Sequence, residues 1–138
     1  MKVSEHFTLK ELVYSPTAIR NNITEQTSPP QEVIDNLILL AENVLEPIRK
    51  KFGVTVVSSA YRCPRLNSLV GGSKSSHHKL GMAVDINFGE DNHKLYKFVK
   101  ENLKFTQLIW EYGTIKNPDW VHIAFDKDNL SMVETVIK

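Results

Sequence analysis

Apolar residues recur at Val33, Leu37, Leu40, Val44 and Ile48, three or four positions apart, within residues 31–52. That spacing puts them on one face of an α-helix about six turns long. Pro47 falls inside the pattern, where its missing N–H and its ring predict a kink in the last turns, and Gly53 is placed to close the helix. Residues 54–58 are β-branched and apolar and predict a short buried strand. From Ala83 the period becomes two. Ala83, Asp85 and Asn87 then share one face of a strand over 83–87, and Val84 and Ile86 the other. Residues 107–112 and 120–125 predict two further strands, and residues 91–102 a helix with Leu95, Phe98 and Val99 on its inner face. The tail, 130–137, fits strand or helix.

Thr8-Leu9-Lys10-Glu11 has the form of a capping box for a short helix. Residues 17–27 are polar and predict a mostly irregular stretch, with Ala18 and Ile19 as anchors onto the core. Pro64, Gly71, Gly72 and a cluster of serines predict a loop over 62–79, long enough for a functional role to be expected of it. Helices come first and strands follow, interrupted by one helix. This order predicts an α+β domain with helices packed on one face of a mostly antiparallel sheet. No repeat or low-complexity tract divides residues 1–138, so one domain is expected.

Composition narrows the partners. Seventeen Lys+Arg against sixteen Asp+Glu leave a formal net charge of +1, without the basic excess that a nucleic-acid groove or an anionic membrane needs. A single cysteine builds no disulfide framework. No run approaches the ~18 apolar residues of a bilayer span, and residues 1–7 lack an apolar signal segment. The expectation is a protein made soluble, without a membrane anchor or an encoded route across a membrane.

The chemistry concentrates in two segments. In Ser76-His77-His78-Lys79-Leu80-Gly81-Met82-Ala83-Val84-Asp85, the carboxylate of Asp85 lies in mid-strand between apolar neighbours, a costly place unless a cation or several hydrogen bonds compensate it. The preceding loop can bring His78 back towards it. In Asp119-Trp120-Val121-His122-Ile123-Ala124, Trp120, His122 and Ala124 share one strand face. If the two strands are neighbours, His78, Asp85 and His122 meet as two imidazoles and one carboxylate with a position left for water. That is the composition of a catalytic zinc site rather than a closed structural one. Asp119 would point away on a strict strand, but Asn117-Pro118 is expected to turn the chain and free it to reach a metal-bound water as general base. Arg62 has the planar fork suited to a substrate carboxylate or a developing oxyanion.

The pattern Ser76-x-His78-x-x-Gly81-x-Ala83-x-Asp85 followed by Asp119-x-x-His122 resembles the M15 family of zinc D-alanyl-D-alanine carboxypeptidases, dipeptidases and phage endolysins. Ser58-Ser59-Ala60-Tyr61-Arg62-Cys63-Pro64 is similar to that family's Ser-Gly-Tyr-Arg-x-Pro signature, with Ala60 in place of the usual Gly. His6-Phe7-Thr8, Glu11-Leu12 and Val44-Leu45-Glu46-Pro47-Ile48-Arg49 resemble a phage-associated subgroup. The resemblance implies the Hedgehog/DD-peptidase-like fold and Zn2+ held by His78, Asp85 and His122. It also implies Asp119 as general base where many relatives have Glu, Arg62 as a substrate or transition-state contact, and Ser76 as a holder of the substrate backbone. The implied substrate is the peptidoglycan stem peptide, cut at a D-Ala-D-Ala or an L-Ala-D-Glu bond by a monomer. The implied setting is a phage lysin released by a holin or a cellular enzyme.

Other residues have plainer readings. His77 does not fit the spacing and reads as a loop side chain, His6 and His93 as surface or capping residues, and Cys63 as a packed thiol. Glu111 is at most a hydrogen-bonding neighbour of the site. The competing function is a Hedgehog-like zinc-containing module that binds without hydrolysing, against which the presence of Asp119 argues.

Overall fold

The structure is a computed structural model that describes residues 1–138. Its five strands are β1 (Val57–Ser59), β2 (Ala83–Ile86), β3 (Gln107–Glu111), β4 (Trp120–Ala124) and β5 (Val133–Ile137), joined in one sheet in the order β1-β2-β4-β3-β5. Every neighbouring pair is antiparallel except β3 and β5, which run parallel. The helices lie against the sheet, so the architecture is the α+β one expected. The tail is a strand.

Helices α1 (Leu9–Val13), α2 (Pro16–Arg20), α3 (Gln31–Leu40), α4 (Glu46–Phe52), α5 (Pro64–Leu69) and α6 (Asn92–Asn102) complete the fold. The capping box forms as predicted, with the Thr8 side chain taking the Glu11 N–H and Glu11 reaching back to the Thr8 N–H. Between α3 and α4 the helix continues through a π-helical turn, Ala41–Leu45. In an unbroken α-helix the Pro47 ring would clash with the carbonyl four residues back, at Asn43. Widening the turn just upstream is how the chain carries Pro47 without breaking. Glu46, at the start of α4, accepts hydrogen bonds from Ser4 Oγ (2.5 Å), the His6 N–H (2.8 Å) and His6 Nδ1 (2.6 Å), and so ties the N-terminus to the long helix.

One side of the sheet is the core. Val84, Ile86, Leu108, Val121 and Ile123 pack with Leu37, Leu40, Val44 and Ile48 of the long helix and with Leu95 and Val99 of α6 in a single buried cluster. Each such side chain contributes roughly 1.5–3 kcal/mol through burial. The opposite side of the sheet is left for chemistry.

Three local expectations change. The strand predicted over 54–58 is short and lies at the sheet's edge; Val54 and Val56 are exposed, because only β2 flanks β1 and a register shift falls between Val57 and Ser59. The stretch 62–79 is not one loop: it holds α5, begun by Pro64, and most of a 3-10 turn over His77–Leu80. The stretch 17–27 is largely ordered, with α2 and a 3-10 turn over Thr24–Thr27; Ala18 is buried as expected but Ile19 is exposed. No helix is long and apolar enough to cross a membrane.

Candidate metal centre

The β2–β4 register sets Asp85 directly opposite His122. Both therefore project from the face away from the helices, while their neighbours Val84, Ile86, Val121 and Ile123 fill the core. His78 arrives from the 3-10 turn just before β2. That turn begins at Ser76, whose hydroxyl accepts the His78 N–H (3.2 Å), and ends at Gly81, whose φ is +72°. A Cβ at Gly81 would come within 2.8 Å of the Val33 carbonyl oxygen, so the turn can pack on α3 only with glycine there.

The three side chains converge. His122 Nδ1 lies 2.9 Å from Asp85 Oδ1, and His78 Nε2 lies 3.3 Å from Asp85 Oδ2. The potential donor atoms of all three lie within 4.8 Å of one another. Ligands at ~2.0–2.1 Å from a tetrahedral zinc sit roughly 3.3 Å apart, so the set is close to the required size without rearrangement. His78 Nδ1 lies 2.5 Å from the Ala60 carbonyl oxygen, which can only accept; this fixes the hydrogen on Nδ1 and turns the lone pair of Nε2 towards Asp85. Burial pushes the Asp85 carboxyl up, but its contacts with the His122 and His78 rings outweigh it and hold the group well below the usual carboxylate range. Two imidazoles and an ionised carboxylate, mostly buried and aimed at one point, fit zinc.

The centre lies on the floor of a cleft of about 630 Å³. The sheet supplies Asp85, His122, Trp120, Gln107, Ile109 and Glu111, and the segment 70–78 supplies the facing wall. Arg62 enters from the end of the extended stretch after β1. Its N–H donates to the His78 carbonyl (3.0 Å), its guanidinium reaches Ser76 Oγ (3.4 Å), and its Nε is buried without a partner. Burial lowers the Arg62 pKa while Asp85 and Glu111 oppose that shift. A half-buried guanidinium on the wall of the cleft is equipped to bind an anionic group. Ser76 joins Arg62 to the His78 turn.

Gln26 explains how Arg62 is held. It is buried, its Nε2 donates to the Val13 and Tyr61 carbonyls (2.8 Å each), and its Oε1 accepts the Cys63 N–H (2.8 Å). The sequence reading left Gln26 in an irregular polar stretch. Nothing in its spacing marks it as the clamp on the chain either side of Arg62.

Asp119 is placed differently from the ligands. Its side chain is exposed and does not line the cleft; its N–H donates to the Glu111 carbonyl (2.9 Å) and its carbonyl accepts from the Asn92 side chain (3.0 Å). Glu111, which pairs with Trp120 across β3 and β4, does line the cleft and receives a hydrogen bond from the Trp120 indole. Burial and the Asp85 charge push the Glu111 carboxyl above its usual range against the pull of His122, Trp120 and His78. His77 also lines the cleft, though it stands outside the three-residue set. A slightly larger hollow of about 690 Å³ borders α1 and α2, but its lining holds no His, Cys, Asp or Glu.

No curated protein sequence matches the chain. The sequence model of the Peptidase M15 family matches residues 5–124, a span that contains Arg62, Ser76, all three converging ligands, Glu111 and Asp119. With that match over most of its length, and with the two-histidine, one-carboxylate centre that a family of zinc peptidases requires, the chain belongs to the M15 peptidases.

Proposed function

We propose that the protein is a zinc-dependent peptidase, acting as a monomer, that cleaves the stem peptide of bacterial peptidoglycan. The observation that carries this reading is the His78–Asp85–His122 set on the floor of an open, polar-walled cleft. When bound there, zinc polarises a peptide carbonyl and brings the pKa of a water towards ~7. His78 is held by the Ala60 carbonyl on the ring nitrogen that faces away from the centre, so that imidazole is oriented before any metal arrives. Arg62 lines the cleft and offers its guanidinium fork to a stem-peptide carboxylate or to negative charge developing on the carbonyl oxygen. Ser76 orients that guanidinium and adds a hydroxyl for the substrate backbone. The cleft has room for a short peptide in extended form, whether the bond cut is D-Ala-D-Ala at the free end or L-Ala-D-Glu near the sugar.

The test is mass spectrometry of defined peptidoglycan fragments after incubation with the zinc-loaded protein, with and without a chelator. Loss of a terminal D-Ala assigns a carboxypeptidase, and release of the stem from its sugar-proximal residue assigns an endolysin. Fragments left intact by protein carrying stoichiometric zinc would contradict the reading.

A further inference from the structure

We propose that Glu111, rather than Asp119, is the carboxylate that carries the proton during hydrolysis, and that the Trp120 indole positions it. The proposal rests on the peptidase reading above and adds a catalytic residue to it.

The sheet register supplies the first argument. Glu111 pairs with Trp120 and Ile109 with His122, so Glu111, Trp120, His122 and Asp85 all project from one face. Two residues along a strand span ~6.8 Å, a gap that a glutamate side chain and one water can bridge. Apart from Asp85, Glu111 is the one carboxylate among the residues lining the cleft.

The second argument is how each acid is held. Glu111 has a single side-chain hydrogen bond, from Trp120 Nε1 to Oε2, which leaves Oε1 for a water. Trp120 is in turn braced by Tyr112, their ring centroids 5.3 Å apart in an edge-on arrangement. Tyr112 takes a left-handed φ of +56°, uncommon for a side chain of its size, as the chain leaves β3. Asp119 has no comparable freedom to reach the metal. Both of its backbone polar groups are bonded, and the connection before it is closed by Thr114 N–H to the Asn117 carbonyl (2.9 Å). Gly113 sits so close to this segment that a Cβ would meet the Asn117 oxygen at 2.3 Å. The turn that was to free Asp119 is locked with its side chain in solvent.

In the step assigned to it, Glu111 accepts one proton of the attacking water as the water oxygen bonds to the carbonyl carbon. The C–N bond then breaks with its electron pair going to nitrogen, and Glu111 returns that proton to the leaving amine. The second water proton leaves with the new carboxyl group.

The test uses the zinc-loaded full chain and the variants Glu111→Gln, Glu111→Asp, Trp120→Phe and Asp119→Asn. It reads zinc content, kcat and KM on a stem peptide, and acetohydroxamate binding by calorimetry, since a hydroxamate on the metal places a donor beside the proton-accepting carboxylate. Glu111→Gln should lower kcat by ~10²- to 10⁴-fold with zinc content and KM unchanged, and should weaken hydroxamate binding. Glu111→Asp should recover part of kcat. Trp120→Phe keeps the ring but loses the N–H, and should lower kcat about tenfold with little change in KM. Asp119→Asn should match the unaltered protein in every readout. Wild-type turnover in Glu111→Gln, or its loss in Asp119→Asn, overturns the proposal. If the unaltered protein cleaves no stem peptide, the hydroxamate arm still decides: weakened binding in Glu111→Gln upholds the placement of Glu111 while the substrate reading fails, and unchanged binding overturns both.

Discussion

On the sheet side of the cleft, His78, Asp85 and His122 are largely buried, and each is bonded to a residue distant in sequence. Across the cleft, residues 70–76 are mostly exposed glycine and serine, bonded to one another, to the adjacent α5 and, through Ser76, to Arg62. Asn67 is the one buried strut of that wall, its side-chain amide N–H donating to the Ser73 carbonyl and its backbone carbonyl accepting the Gly72 N–H. The difference separates two tasks. Asp85 and His122 stand on paired strands, where the ladder and the core beneath set their positions, and His78 stands on a turn fixed by Gly81 packing on α3 and by the Ala60 carbonyl. The facing wall stands on a segment that can change without disturbing the core.

The largest effect is expected from removing a side chain of the cleft floor. Asp85→Ala or His122→Ala should abolish stoichiometric zinc, measured by elemental analysis, and with it all hydrolysis, because two ligands and water make a poor zinc site. Next comes Gln26, which lies in neither wall but fixes the chain on both sides of Arg62. Gln26→Ala leaves two buried carbonyls and an N–H without partners and should cost on the order of 3 kcal/mol in chemical denaturation. Arg62→Lys replaces a fork by a point charge and should lower kcat/KM by roughly tenfold or more, with zinc content unchanged.

A smaller effect concerns pH. Burial pushes the Glu46 carboxyl up, but hydrogen bonds from Ser4 and from the His6 backbone and ring bring it below its usual range. Its folded pKa is thus lower than its unfolded one. The stability it contributes is complete above the ordinary carboxylate range, near ~4, and is lost as the pH falls from that range through the lower folded pKa. Glu46→Gln should flatten the acid limb of stability against pH, read by thermal unfolding. The smallest effect is expected on the loop wall: Ser75→Ala should change stability by less than about 0.5 kcal/mol and shift KM among stem peptides more than kcat.

The sequence displayed the metal set well because its geometry is local and periodic. Alternation put Asp85 and His122 on matching faces, and Gly81 marked the turn that delivers His78. It did not display where the Asp119 side chain lies, because that depends on the closure of the turn between Gly113, Thr114 and Asn117, which the Asn117-Pro118 pair signals without fixing its direction. Glu111 was visible as a hydrogen-bonding neighbour of the site but not as an acid lining the cleft. Its importance comes from the β3–β4 register, a long-range property. Gln26 was illegible for the same reason, since its three partners lie 13 to 37 residues away. The edge position of β1 escaped because β-branched residues favour a strand without saying which strands flank it.

The account stands most directly on zinc stoichiometry across a small set of purified chains. It predicts one zinc per molecule in the unaltered protein and in Glu111→Gln and Asp119→Asn, and none in His78→Ala, Asp85→Ala or His122→Ala. Retention of a full equivalent of zinc after any of the three ligand substitutions, in protein that is still folded, would contradict it.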